Sequence, residues 1–165
     1  MSGAFDPERI FVELTDKEVD YVVIGGIAAT LHGAARPTQD VDVLIDRKPA
    51  NLARVAAALE GLDARLKAGE GEPITVSIDA ERLRLGMNFS WATAAGDLDT
   101  FGEVEGGFVY ATVVDGAWEA VTSAGTTILV VSLADLIAMK RASGRPKDQL
   151  ALLELTELEG LAEGK

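Results

Sequence analysis

The residues that most constrain this chain are Tyr21-Val22-Val23-Ile24, followed at once by Gly25-Gly26. A short apolar, β-branched run predicts a strand, and two glycines at its end predict a sharp turn into the next element. Ile27 to His32 is expected as a short helix, with Gly33 as its C-terminal stop. Then comes Arg36-Pro37-Thr38-Gln39-Asp40-Val41-Asp42-Val43-Leu44-Ile45, whose Val41–Ile45 stretch predicts a second strand. Side chains alternate along a strand, so Asp40 and Asp42 share one face while Val41, Val43 and Ile45 occupy the other. The fold must therefore bury one face of this strand and tolerate two neighbouring carboxylates on the opposite face.

Two like charges at that spacing raise one carboxyl pKa unless a cation neutralises them. Magnesium, a hard cation held by one or two carboxylates together with substrate phosphate, would supply the missing charge. Asp-x-Asp alone is also compatible with the solvated side of an edge strand. Gly25-Gly26 shifts the balance. Glycine lets phosphate approach the main chain, and the following helix start offers free amides. The conjunction is what carries information: strand, Gly-Gly, helix, thirteen residues from Gly26 to Asp40, and Asp-x-Asp on a second strand.

The rest of the chain is mixed α and β. Asp6 and Pro7 open a helix to about Lys17, and Pro49 opens another that ends at Gly61. Ala68 to Pro73 is a loop. Ile74 to Leu85 fits a short helix from Ile78 or an extended run. Met87–Thr93 and Leu98–Val104 are expected to pair around Ala94-Ala95-Gly96. Trp118–Val121 and Thr126–Val131 are expected to pair around Ser123-Ala124-Gly125. Ser132 caps a helix carrying Leu133, Leu136, Ile137 and Lys140, which Gly144 breaks, and a last helix spans about Lys147 to Leu158. The expected class is α/β (α+β): a small mixed sheet flanked by helices, with a helical C-terminal segment, in one domain over residues 1–165.

The chain has 165 residues, no cysteine and a formal net charge of −12. Thiol nucleophiles, disulfides and zinc–thiolate sites are excluded. Whole-surface binding of nucleic acid is disfavoured by the charge. No apolar run approaches a membrane span, and Met1 to Arg9 lacks a basic-then-apolar pattern, so a cytoplasmic location without membrane contact is expected.

The segment Gly25 to Ile45 resembles the signature of the nucleotidyltransferase superfamily of DNA polymerase beta type. The finer pattern, Gly-Gly-x-Ala with Arg36-x-Thr38-x-Asp40-x-Asp42, is similar to small bacterial minimal nucleotidyltransferases. These include abortive-infection toxins and lincosamide-type antibiotic adenylyltransferases. Ser132-Leu133-Ala134-Asp135-Leu136-Ile137, with Lys140, Gly144-Arg145, Lys147 and Asp148, resembles the tail of that group.

The resemblance implies that Gly25 and Gly26 contact a triphosphate and that Asp40 and Asp42 bind metal, expected as two magnesium ions. It also implies a third carboxylate on a neighbouring strand that acts as ligand or general base. Asp99 is the candidate, with Asp97 on the same face left open. Arg36 and Thr38 are candidates for phosphate contact, or Arg36 for an ion pair with Asp40 or Asp42. Lys140, Arg145 and Lys147 are candidates to reach phosphate or acceptor, while Asp148 is expected to pair with Arg145 or Lys140. His32, the only histidine, is expected to be structural. Trp91, Trp118, Phe89 and Tyr110 are read as core ahead of base-stacking platforms, two roles that the sequence does not separate.

The expected activity is transfer of a nucleoside monophosphate from a nucleoside triphosphate to an acceptor hydroxyl on a transfer RNA, a protein or a small molecule. A toxin–antitoxin role implies an antitoxin partner, and the short tail is compatible with a homodimer. An antibiotic adenylyltransferase is the alternative, as is a non-catalytic nucleotide- or protein-binding module on the same scaffold.

Overall fold

The computed structural model describes residues 4–164. Seven strands form one mixed sheet in the order β3-β4-β5-β2-β1-β7-β6. The chain enters through helix α1 (Pro7–Asp16), where the Asp6 carboxylate accepts the Arg9 amide at 3.3 Å and Pro7 occupies the first turn. Strand β1 (Tyr21–Ile24) is buried throughout. It runs antiparallel to β2 (Asp40–Ile45) and parallel to β7 (Thr127–Val130). Burial on both faces suits its uninterrupted apolar run.

Helix α2 (Gly25–Leu31) starts at the glycines themselves. Gly25-Gly26 is thus the first turn of the helix rather than a turn ahead of it, because Gly25 takes a φ of +69° that lets strand pass directly into helix. Gly33, at φ +111°, stops it as expected. Helix α3 (Pro49–Gly61) begins and ends where its proline and glycine predict. The two-residue strand β3 (Arg65–Leu66) was not foreseeable, and Ile74 bridges back to Leu66. Of the two readings for residues 74–85, the short helix holds. It is α4 (Ala80–Leu85), delayed to Ala80 because the Asp79 side chain caps it through the Arg82 amide at 2.8 Å.

Strands β4 (Asn88–Thr93) and β5 (Gly96–Phe101) form the expected hairpin, shifted so that Gly96 begins the second strand. The strand stops at Phe101, short of Val104, because Val104 turns to pair with Phe108. The apolar run 108–114 yields the single-turn helix α5 (Tyr110–Val113). Strand β6 (Trp118–Val121) pairs with β7. Ser132 caps α6 (Leu133–Ser143) through the Asp135 amide, and Gly144 ends it at φ +62°. Helix α7 (Pro146–Glu163) is longer than expected at both ends.

One hydrophobic cluster joins α1, the sheet, α3 and α6, with Leu14, Val22, Leu44, Leu59, Leu98 and Ile137 essentially inaccessible. Trp91 is fully buried, and its indole N–H donates to Thr100 Oγ1 at 3.1 Å, so the polar Thr100 is satisfied inside the core. Trp118 departs from expectation. It is 38% exposed on the edge strand and packs edge-on against His32 at 5.7 Å. His32 ends α2 and bonds the Val131 carbonyl through Nε2 at 2.8 Å, a structural role. Among the described residues no helix is long and apolar enough to cross a membrane.

Candidate active site

The site forms where β2 lies between β1 and β5. Strands β2 and β5 run parallel, with Asp40 opposite Asp97 and Asp42 opposite Asp99. Parallel neighbours in register put all four carboxylates on one face at the sheet's centre. Val41 and Val43 fill the opposite face with no exposure. The carboxylate face is polar for only part of the strand, because Leu44, two residues beyond Asp42, is buried again.

Asp97 and Asp99 differ in what they meet. Lys67, just past β3, holds Asp97 Oδ2 at 2.8 Å. Asp99 instead joins Asp40 and Asp42: one carboxylate oxygen from each lies within 4.8 Å of the others. Ser90, on the neighbouring strand β4, hydrogen-bonds Asp99. Lys67 and Ser90 escaped the sequence reading because only strand pairing brings them here.

The electrostatics follow from this crowding. Burial first, then the charges of Asp40 and Asp99, push the Asp42 carboxyl up to about 7, and it hydrogen-bonds Asp99. Lys140 opposes that shift. Burial also raises Asp99, with Ser90 acting in the other direction. Three oxygen-only ligands packed this closely repel one another as anions, and a hard divalent cation removes the repulsion. The donor set contains no sulfur or imidazole and so fits magnesium rather than zinc or copper.

Gly25 is bound to this arrangement by space. A Cβ at Gly25 would lie 2.0 Å from Asp42 Oδ2. A Cβ at Gly26 would lie 2.8 Å from Thr38 Oγ1. The close approach of these glycines is to the site's own side chains. Thr38 in turn donates to Asp40, reaching its carbonyl at 3.1 Å and Oδ1 at 3.2 Å. Its hydroxyl orients a carboxylate. Arg36 is exposed, and among the described residues it forms no ion pair with Asp40 or Asp42.

The cleft has two lobes that meet at Asp42, Lys140 and Arg145. One extends past Gly26, Arg36, Thr38 and Lys147 along α7. The other extends past Gly25, Asn88 and Phe101 to Glu103 and Glu105. Asp148, 3% exposed, fixes the basic residues between them. Its Oδ1 accepts from Lys140 Nζ at 3.1 Å, and its Oδ2 accepts from Arg145 Nε at 3.0 Å and from Ser143 Oγ. Burial alone would raise Asp148, but the bonds from Ser143 and Lys140 win and hold it at about 2. The expected pairing of Asp148 thus involves both Lys140 and Arg145.

No protein-family model matches the sequence, and no curated protein matches it by sequence. Solved structures do match. The lincosamide antibiotic adenylyltransferase LnuA, lincomycin-bound, aligns with 94% of this chain over 99% of its own at TM-score 0.61 and 15% identity. The antibiotic-resistance factor ANT(2'')-Ia in solution aligns with 92% of this chain and 79% of its own, at TM-score 0.58 and 16% identity. The crystal structure of ANT(2'')-Ia with adenylyl-2''-tobramycin aligns with 96% and 93%, at TM-score 0.56 and 17% identity. Likeness over nearly the whole chain at such low identity is a statement about architecture, and by that measure the chain has the nucleotidyltransferase fold.

Proposed function

We propose that this chain is a metal-dependent nucleotidyltransferase that moves a nucleoside monophosphate from a nucleoside triphosphate to an acceptor hydroxyl. The observation that carries this reading is the convergence of Asp40, Asp42 and Asp99 within 4.8 Å, with Asp42 at the junction of two cleft lobes. A transfer reaction needs such a junction, with donor and acceptor meeting at one charged point.

In this reading Asp40, Asp42 and Asp99 hold magnesium, expected as two ions. When bound, magnesium neutralises phosphate charge and lowers the pKa of the attacking hydroxyl. Asp99 serves as a ligand or accepts the acceptor's proton. Gly25 and Gly26 line the two lobes in which the triphosphate would lie, and the room they leave there keeps Asp42 and Thr38 in place. Arg36, Lys140, Arg145 and Lys147 face its negative charge, with Lys140 and Arg145 pre-positioned by Asp148. Thr38 keeps Asp40 aimed into the site.

The acceptor classes are a transfer RNA end, a protein hydroxyl and a small molecule. LnuA was solved with lincomycin and ANT(2'')-Ia with adenylyl-2''-tobramycin, which supports including small hydroxylated molecules. A toxin role would add an antitoxin partner in the cytoplasm.

The test is label transfer from α-labelled triphosphates with magnesium, against all three acceptor classes, comparing the wild type with Asp42→Asn and Asp99→Asn. Loss of a ligand or base should lower transfer at least roughly a hundredfold. If wild type and both variants label every acceptor equally poorly, and none binds nucleotide, the enzyme reading is wrong.

A further inference from the structure

We propose that the outward face of α7 is the contact surface for a second copy of this chain, with the two helices antiparallel about a two-fold axis level with Leu152. Helix α7 carries leucines on both sides. Leu155 is buried, and Leu152 and Leu158 pack against the core. Leu150, Leu153 and Leu161 turn outward and are 59%, 64% and 67% exposed. They are spaced i, i+3 and i+11, so they share one face. A surface helix carries polar side chains on its outer face, whereas a helix that is apolar all round is one that is covered all round.

Charge along the same helix selects the occupant. A net charge of −12 makes most faces of two copies repel. Bases gather instead where α6 meets α7, at Lys140, Arg141, Arg145 and Lys147. The far half of α7 carries Glu157, Glu159 and Glu163, and its last turn holds no base among the described residues. Acids at a helix C-terminus oppose the helix dipole, so this end wants positive charge from outside the helix. A second α7 running the other way brings it, as its own N-terminus with Arg145 and Lys147.

Turning a copy over about a point level with Leu152 sets Leu150 opposite Leu153, Lys147 opposite Glu157 and Arg145 opposite Glu159. The order base, leucine, acid is self-complementary, as a two-fold interface requires. Parallel pairing would set base on base and acid on acid. The match is one of ends rather than of single bonds, so it holds while Arg145 stays on Asp148 and Lys147 lines the cleft. Three leucines from each copy make a small contact, so the association should be weak. The Asp40, Asp42 and Asp99 cluster comes from a single chain and does not depend on it.

The experiment is sedimentation velocity on the full chain. Wild type should reach twice the monomer mass at about 100 µM and dissociate on dilution. Leu150→Gln/Leu153→Gln keeps the charge and the helix propensity. It should raise the dissociation constant at least roughly tenfold, with unchanged far-UV circular dichroism. Glu157→Lys should weaken the dimer roughly tenfold, whereas Glu70→Lys, which changes the net charge equally at an exposed loop position, should not. The chain has no cysteine, so single cysteines report the geometry. A disulfide needs Cα atoms within about 7 Å. Leu153→Cys, beside the axis, should oxidise to a covalent dimer, while Leu161→Cys, about 27 Å along the helix from its copy, should not. A wild type that stays monomeric at about 100 µM overturns the proposal and leaves the leucine face to a different protein. So does a dimer that survives Leu150→Gln/Leu153→Gln, or one in which Leu161→Cys cross-links as readily as Leu153→Cys, the mark of parallel helices.

Discussion

At Gly25 two independent demands meet. The backbone there has a φ of +69°, and the space a side chain would fill belongs to Asp42. Alanine at this position is strained by its backbone and collides with the carboxylate that the site needs. Gly25→Ala is expected to destabilise the protein by about 1–3 kcal/mol and to lower label transfer at least about a hundredfold. Gly26→Ala meets Thr38 at Oγ1 (2.8 Å) and Cβ (2.9 Å), but without the positive φ of Gly25 and without touching a carboxylate. It should cost less stability and should lower activity indirectly, through Thr38 and Asp40. Urea unfolding and label transfer on the pair check this order; equal stability loss in both would remove Asp42 as the reason for Gly25. The sequence makes the glycines visible but hides this reason. A Gly-Gly pair looks the same whether the room it leaves is for a phosphate or for a carboxylate seventeen residues further on, as Asp42 is from Gly25.

Between elements, Asp148 is a buried polar tie that joins the start of α7 to the end of α6. Its folded pKa is about 2, below its ordinary value of 3.8. A carboxyl lowered on folding adds stability above the unfolded pKa, and that contribution is lost as pH falls through the folded one. Asp148→Asn should therefore cost about 2 kcal/mol at pH 7, and its deficit relative to wild type should shrink between about pH 4 and pH 2. Urea unfolding across that range measures it; a deficit independent of pH would mean that packing, not charge, supplies the tie. This pairing was legible because Lys140, Arg145 and Asp148 sit within nine consecutive residues on flanking helices. The choice between Asp97 and Asp99 was not. Both occupy one face of β5, and what separates them is Lys67, thirty residues earlier, reaching Asp97. Pairing between distant strands decides such a question, and alternation along a single strand carries no trace of it. The same limit hid β3, whose two residues are a strand only because β4 lies beside them.

Across the whole molecule, the carboxylate cluster works against the stability of the fold that displays it. Asp42 is raised from 3.8 to about 7 by burial and by Asp40 and Asp99. The sign is opposite to that of Asp148: the folded state holds a proton that the unfolded chain has released, so stability falls as pH rises from about 4 to about 7. The span corresponds to an effect on the order of 4 kcal/mol. The remaining acidity, a net charge of −12, adds self-repulsion in the same direction. Neutralising one member should then stabilise the metal-free protein while disabling the site, the familiar opposition of stability and activity. In EDTA at pH 8, Asp42→Asn is expected to melt higher than wild type by several degrees, since about 1 kcal/mol moves the midpoint of a domain this size by about 2–4 °C. Magnesium with nucleotide should raise the wild-type midpoint, because ligand that binds only the folded state adds to its stability. It should leave Asp42→Asn nearly unmoved. Thermal melts of the two proteins with and without magnesium and nucleotide, at pH 5 and pH 8, give all the comparisons needed. A variant that melts lower than wild type in EDTA at pH 8, or that keeps the full shift with magnesium, would show that Asp42 is neither the crowded carboxylate nor the ligand assigned to it.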